Sequence, residues 1–544
     1  MTVKRQTPPA SRVLPHGLDT AQSEIMAARS LVSRTYPYGE KARPNPTAIT
    51  QARGFLNELM TNPAYRRFAW TARGWRARID FAEKRYGNAA VAYLTQLRST
   101  TEFADQLQAT TSLRVSLARI TTADAAVIRK AILGDPRLFE PYAEYRIYHS
   151  EEGYDEAKPK TRESLASLAK FGRDVIAANP NVIIKAGVTA RLAEIAYQSG
   201  DFSTAQTLAD RSLATPNGER RDLARYVAAG ARYRQKKTAD AIKTLGAVSS
   251  AFKGSYLRAP ANELKALCQQ DLGDFGAALD TYEELDYKLD IAYLLDVRMT
   301  PEQIRAYRDQ KPSPKLTLAL GYRLLRENKL AEASREFAAI PEADRRKLAK
   351  VGDTDYRWND VPGIDVIPDP LKTTQELMKL REKLDTPAAM YALASYYYNH
   401  RNLLLYNASL WDGSRQVLVG LNRGVTTRED RLLVRKHSYE HECLYVARQI
   451  CLEMARRFPQ APETSKALYR AATSSRRLAD FNSWWREYGT QAELFDSAVN
   501  LMKRCAAGFP NEPLAANARK YAKAYEDEKR DTLLQAGFAE ANAE

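Results

Sequence analysis

The chain has little of what usually announces a chemistry. Four cysteines in 544 residues exclude a disulfide-dependent fold. Cys443 and Cys451 stand eight residues apart on one predicted helix, about 12 Å along its axis, which is too far for a bridge. Cys268 and Cys505 fall within apolar helical patterns and read as buried small hydrophobes. No apolar run approaches the roughly 18–20 residues of a membrane span. The N-terminal MTVKRQTPPASRVLPHG has basic residues but no apolar core behind them, so it is not a secretory signal. That makes the chain cytoplasmic, or periplasmic if a leader has been removed. β-branched runs bounded by hairpin turns are missing, which excludes a strand-rich fold. Phosphate-loop glycines, dinucleotide fingerprints, nucleophile elbows and metal-type cysteine pairs are also absent, so no cofactor is implied. Gly413-Ser414-Arg415 lacks the second glycine and the preceding strand of an elbow.

Charge is the main departure from average composition. The chain carries 82 lysines and arginines against 66 acids, a net +16. Such a balance attracts nucleic acid, anionic membranes or acidic proteins. The basic residues are mixed with acidic ones along the chain, with no tract of the nucleic-acid-arm kind. Polyanion binding, to nucleic acid or acidic glycan, is therefore the alternative to a protein partner.

What is present is a spaced repetition. LAEIAYQSGDFSTAQTLADRSLATP (Leu192 to Pro216), AAGARYRQKKTADAIKTLGA (Ala228 to Ala247) and LKALCQQDLGDFGAALDTYEEL (Leu264 to Leu285) share one pattern. Each has small or apolar residues on one helical face, a tight turn, then an alanine five residues later. The turns fall at Gly200, Lys236 and Gly273, a period of 36 and then 37 residues. Two short helices at that period bury their apolar faces only by stacking on neighbours. Ala205, Ala241, Ala278 and Ala333 are predicted where helices approach closely. Gly200 and Gly273 suit the positive φ that ends a helix sharply.

The pattern resembles the tetratricopeptide repeat. That family has a small residue where its two helices meet, a Gly-Asp-aromatic turn, an alanine, a bulky residue and a closing proline. Ala193, Gly200-Asp201-Phe202, Ala205 and Pro216 match one unit; Ala266, Gly273-Asp274-Phe275, Ala278 and Tyr282 match another. Further units place Gly321, Asn328, Leu330, Ala333, Phe337 and Pro341, or Ala77, Lys84, Tyr86, Ala89 and Tyr93, at the corresponding positions. The family's tryptophan is missing and several turns lack glycine. The resemblance implies an all-α, right-handed α-α superhelix, and a non-enzymatic scaffold that holds a peptide or helix of a protein partner in a groove. Arg191, Glu194, Tyr226, Arg232 and Tyr322 are the residues expected to be exposed on its A helices. Reversing Arg191 and Arg232 to glutamate should then alter binding and leave the melt unchanged.

Residues 1–44 are rich in Pro, Ser, Thr and Arg and read as a poorly ordered leader with one helix, Thr20 to Arg34. A helical repeat lobe over 45–350, an irregular linker over 351–370 and a second helical lobe over 371–544 follow. The second lobe has its own repeat, Phe-Pro-x-x-Pro, with an alanine nine residues after the phenylalanine. Phe458, Pro462 and Ala467 pair with Phe509, Pro513 and Ala518 at a spacing of 51. This arrangement is similar to helical repeats of bacterial envelope-assembly lipoproteins, which implies a bacterial, envelope-associated setting.

Three segments are candidate sites. His437-Ser438-Tyr439-Glu440-His441 matches H-x-x-E-H, in which two histidines four apart bind one zinc and the glutamate acts on its water. The order resembles that of inverzincin metallopeptidases, with Glu512, Glu526 and Glu528 as open choices for a third ligand; otherwise both histidines sit on a charged helix face. Met390 to Arg415 is dense in aromatics, and Tyr397, His400, Arg401 and Trp411 are binding candidates there. In the alternative reading its tyrosines, Tyr391, Tyr398 and Tyr406 among them, pack a helical core. Leu403 to Gly413 is too apolar for a surface loop and should pack. Tyr65 to Tyr86 reads as one basic helix with Arg66, Arg73, Arg76 and Lys84 along a side.

Overall fold

The computed structural model describes residues 25, 27, 28, 45–99, 103–151, 164–348, 368–400, 404–411, 433, 437, 442–483 and 488–541. Every regular element among them is helical, as the periodicity predicts. Consecutive helices pack on one another, and the chain divides into two compact units between Leu272 and Gly273.

Turn chemistry explains the hairpins. Helix Ala186–Gln198 ends when Gly200 takes φ +83°. Gly200 N–H then donates to Tyr197 O at 3.1 Å and Asp201 N–H to Ala196 O at 2.9 Å. This pair of bonds satisfies carbonyls left open by the helix end. Asp201 next accepts from Thr204 N at 3.0 Å, starting helix Phe202–Leu213. One Gly-Asp dipeptide thus stops one helix and starts the next, and Gly273 (φ +80°) with Asp274 repeats the arrangement. Lys84, Lys236 and Asn328 also have positive φ, with the same two backbone bonds in each turn. A further turn of this kind, at Asp286 with φ 55°, carries no glycine and was not visible in the repeat pattern.

A lysine in this conformation costs about 1–2 kcal/mol that glycine avoids. Lys236 is exposed, so Lys236→Gly should stabilise the first unit by about 0.5–1 kcal/mol after the added unfolded-chain entropy. Urea denaturation checks this.

Packing follows the alanines. Ala205, Ala241, Ala278 and Ala333 are all fully buried, as helix pairs in close approach require. In the second unit the two Phe-Pro-x-x-Pro segments fold alike: Ala461 N–H bonds Phe458 O and Glu512 N–H bonds Phe509 O, at 3.2 and 3.1 Å. Pro513 opens helix Pro513–Ala541, whereas Pro462 precedes helix Thr464–Ser483. Ala467 and Ala518 are fully buried.

The compact units divide at Leu272/Gly273, and residues 351–367 of the expected linker lie outside the described residues. Helices Leu330–Ala338 and Pro370–Arg381, on either side of that stretch, pack together in one unit. Arg345 helps to join them. It donates to Phe337 O at 3.1 Å and to Ile340 O, and lies 3.3 Å from Asp369, which caps the following helix through Leu371 N. Tyr65 to Tyr86 is not one helix: Pro63–Phe68 is a 3-10 segment, Ala69–Ala82 is helical and Tyr86 opens the next helix. There Arg76 bonds Asn57 and Arg73 stacks on Trp70, so neither points freely outward. Of the leader, Ile25, Ala27 and Ala28 are described and helical, and Ala28 is fully buried in a small core with Leu56 and Tyr65.

Candidate peptide-binding groove

Two Asx-Pro breaks in the first unit open a groove of about 1370 Å³. A proline disfavours helical geometry in the residue before it. Asp135 and Asn179 accordingly sit at φ −132°, ψ 89° and φ −137°, ψ 73°, ending helices Thr122–Gly134 and Leu165–Ala178. After Asn179 the chain turns, closed by Val182 N–H to Asn179 O at 3.0 Å, and residues 182–185 are non-helical, with burial alternating along them. Val182 is buried, Ile183 is 88% exposed, Ile184 is half-buried and Lys185 is exposed. The segment is pinned at both ends. Arg211 donates to Pro180 O at 2.8 Å and Val182 O at 2.9 Å, and Lys185 N–H donates to Glu140 Oε2 at 2.7 Å. Between those anchors the backbone N–H and C=O groups of Ile183 and Ile184 have no partner among the described residues.

Pro136, Pro141, Tyr145 and Leu97 supply apolar lining opposite. The charges on the walls balance: Arg98 lies 3.0 Å and Arg137 2.7 Å from Asp135, and Lys185 lies 3.2 Å from Glu144 and 3.6 Å from Glu140. The hydrogen bond from Arg137 holds the Asp135 carboxyl below its usual range, so the support that ion pair gives the groove wall is present at neutral pH and lost as pH falls through the carboxylate range. The lining mixes these apolar side chains with paired charges.

The sequence-predicted site residues scatter. Arg191 is paired with Glu194 on its own helix. Tyr226 is half-buried, and burial raises its hydroxyl pKa, with Tyr197 and Glu263 adding to the effect. Arg232 holds Asp210 with two bonds of 2.9 Å. A glutamate there would face Asp210, so Arg232→Glu should cost about 1–2 kcal/mol; the expectation of an unchanged melt is replaced, and a thermal melt checks it. Tyr322 is not exposed: it is 3% accessible and packs edge-on against Phe337 at 5.4 Å, because its face of helix Pro314–Arg326 meets helix Leu330–Ala338. Tyr397 is equally buried, its hydroxyl accepting from Arg381. His400 is half-buried, with Nδ1 2.8 Å from Tyr396 O. Arg401 lies outside the described residues.

Trp411 and His437 belong to a buried network in the second unit. Asp296, fully buried in the π-turn Leu294–Arg298, accepts from Arg326 and from Trp411 Nε1 at 2.7 Å. His437 Nε2 lies 3.7 Å from the same carboxylate, its ring against Trp411 at 5.6 Å. Arg326 also donates to Leu405 O at 3.0 Å. Leu404, Leu405, Leu410 and Trp411 are buried, so this apolar stretch packs as its composition predicts. The placement removes Trp411 as a surface contact and takes His437 off the charged face expected for it; Glu440 and His441 lie outside the described residues. No group of three His, Cys, Asp or Glu residues among the described ones is placed to hold a metal. Glu512 accepts from Ser465, Glu526 pairs with Lys503 and Glu528 with Arg476. All four cysteines are buried thiols outside any disulfide. Burial pushes the Cys268 and Cys451 thiols up to about 12, far from nucleophile chemistry at neutral pH.

No family model matches this chain, and no curated protein matches it. Among solved structures it is similar to a circular tandem repeat protein described as having novel repeat topology and enhanced subunit contact surfaces. The identity is 11% over 96% of this chain and 97% of that one, and the TM-score is 0.18. At that score the likeness carries no argument about fold or function.

Proposed function

We propose that the chain is a non-enzymatic, tetratricopeptide-like interaction scaffold that takes an extended segment of a protein partner in the groove of its first unit. One observation carries this reading: Ile183 stands 88% exposed on the groove lining, in a short non-helical stretch with open backbone donors and acceptors. A bound peptide would pair with those groups as an added strand does, and its apolar side chains would meet Ile183, Tyr145 and Pro141. Truncating such a central apolar contact typically costs 2 kcal/mol or more of binding, about thirtyfold in affinity.

The test is capture from an extract of the native host by immobilised wild-type chain and by the double variant Ile183→Asp, Tyr145→Ala. Proteins retained by the wild type should be lost from the variant, with both giving the circular dichroism of a folded helical chain. An identical set retained by both would remove the groove from consideration.

A further inference from the structure

The second unit carries a surface unlike the groove. Helices Pro387–His400, Thr464–Ser483 and Pro513–Ala541 pack as one layer, with Cys443–Arg457 and Tyr488–Gly508 between them as the other. Residues 387–400, 464–479 and 513–525 of the first layer contain seven lysines and arginines and no aspartate or glutamate, while Asp480, Glu526, Asp527, Glu528 and Asp531 follow further along two of these helices.

Two of those cations are held by rings. The Arg470 guanidinium lies 4.5 Å from the Tyr391 ring centroid and 5.0 Å from that of Tyr398, and it donates to Ser395 Oγ. Arg477 lies 5.2 Å from the Tyr398 centroid and is exposed. Neither forms an ion pair with a carboxylate among the described residues, in contrast to the neighbouring Arg476, which has Glu528. The tyrosines continue beside them: Tyr469 meets Tyr521 at 6.3 Å, and Tyr521, 38% exposed, meets Tyr525 at 5.8 Å.

We infer that this layer docks an acidic segment of another protein, with carboxylates bridging Arg470 and Arg477 and apolar side chains against Tyr469 and Tyr521. Stacking on tyrosine fixes the plane of each guanidinium while its N–H edges remain donors, an arrangement suited to bidentate carboxylate contact at reduced entropy cost. Nucleic acid fits less well, because single strands bind by stacking bases on open aromatic faces. Here the Tyr391 and Tyr398 rings are already occupied by arginine. This surface is separate from the groove, and its test does not depend on the groove's role.

Three probes decide it by fluorescence anisotropy on the full chain: a short fluorescein-labelled peptide alternating glutamate and leucine, its glutamine analogue, and a fluorescein-labelled single-stranded oligonucleotide. The glutamate peptide should bind at least about tenfold more tightly than the glutamine analogue, the margin of one charge-assisted contact. It should also bind more tightly than the oligonucleotide. Arg477→Gln alone, at an exposed position, should weaken it several-fold, and Arg470→Gln with Arg477→Gln about tenfold or more. Ile183→Asp should leave it unchanged. Equal affinity for the glutamate and glutamine peptides would overturn the inference, as would undiminished binding by Arg477→Gln. Tighter binding of the oligonucleotide, lost in the same variants, would assign the layer to nucleic acid instead.

Discussion

Asp296→Ala should destabilise the second unit by about 3–5 kcal/mol, the usual cost of removing one partner from a buried charge pair. Arg326 is 4% exposed at its side chain and Asp296 is not exposed at all. Without the carboxylate, the guanidinium keeps its bond to Leu405 O but loses its countercharge, and the Trp411 indole N–H loses its acceptor. The effect should spread along the contacts of this carboxylate to helix Pro314–Arg326 and the stretch around Leu404–Trp411. Asp296→Asn retains an oxygen that accepts from Trp411, so its loss should be smaller, nearer that of one charged hydrogen bond at about 1.5–3 kcal/mol. Hydrogen exchange read by mass spectrometry localises the change. Amides of Leu316 to Leu325 should exchange faster in the alanine variant, while those of Val188 to Ala196 in the first unit stay as in wild type. A loss below about 1 kcal/mol would mean that the buried pair contributes little.

The second large effect concerns two glycines that look alike in the sequence. Gly54 and Gly321 both lie inside helices, where alanine is favoured by about 1 kcal/mol on propensity. A Cβ on Gly54 would meet nothing within 4 Å, whereas one on Gly321 would fall 2.3 Å from the Phe337 ring. Phe337 is fully buried and braced by Tyr322, so it has nowhere to move. Gly54→Ala should therefore stabilise by about 0.5–1 kcal/mol. Gly321→Ala should destabilise by about 2 kcal/mol or more, overpacking outweighing propensity. Urea denaturation of the two variants should give opposite signs.

These residues also show what could be read from the chain. Gly200, Gly273 and the turn lysines were legible because a helix stop is set by a few adjacent residues. The buried alanines were legible because a fixed period locates each helix contact. The Phe-Pro-x-x-Pro turns were local for the same reason. The Asp296 network was not legible, since its members are 30 and 115 residues apart and nothing local marks them as partners. Tyr322 and Tyr226 sit on similar helices with similar neighbours; one is buried because a second helix lies over it, which periodicity does not show. The groove was visible only as two proline breaks. Its walls come together through contacts such as Lys185 with Glu140, 45 residues away. Arg345 and Asp369 are a similar case: their ion pair joins residues on either side of the expected linker.

Photo-crosslinking from the groove tests its role most directly. A benzophenone side chain installed at Ile183 in the full chain, expressed in its native host, should yield discrete protein adducts on irradiation. The same group at Leu272, 53% exposed and outside the groove, should not yield them. Adducts common to both positions, or none at Ile183, would contradict a scaffold that works through this groove.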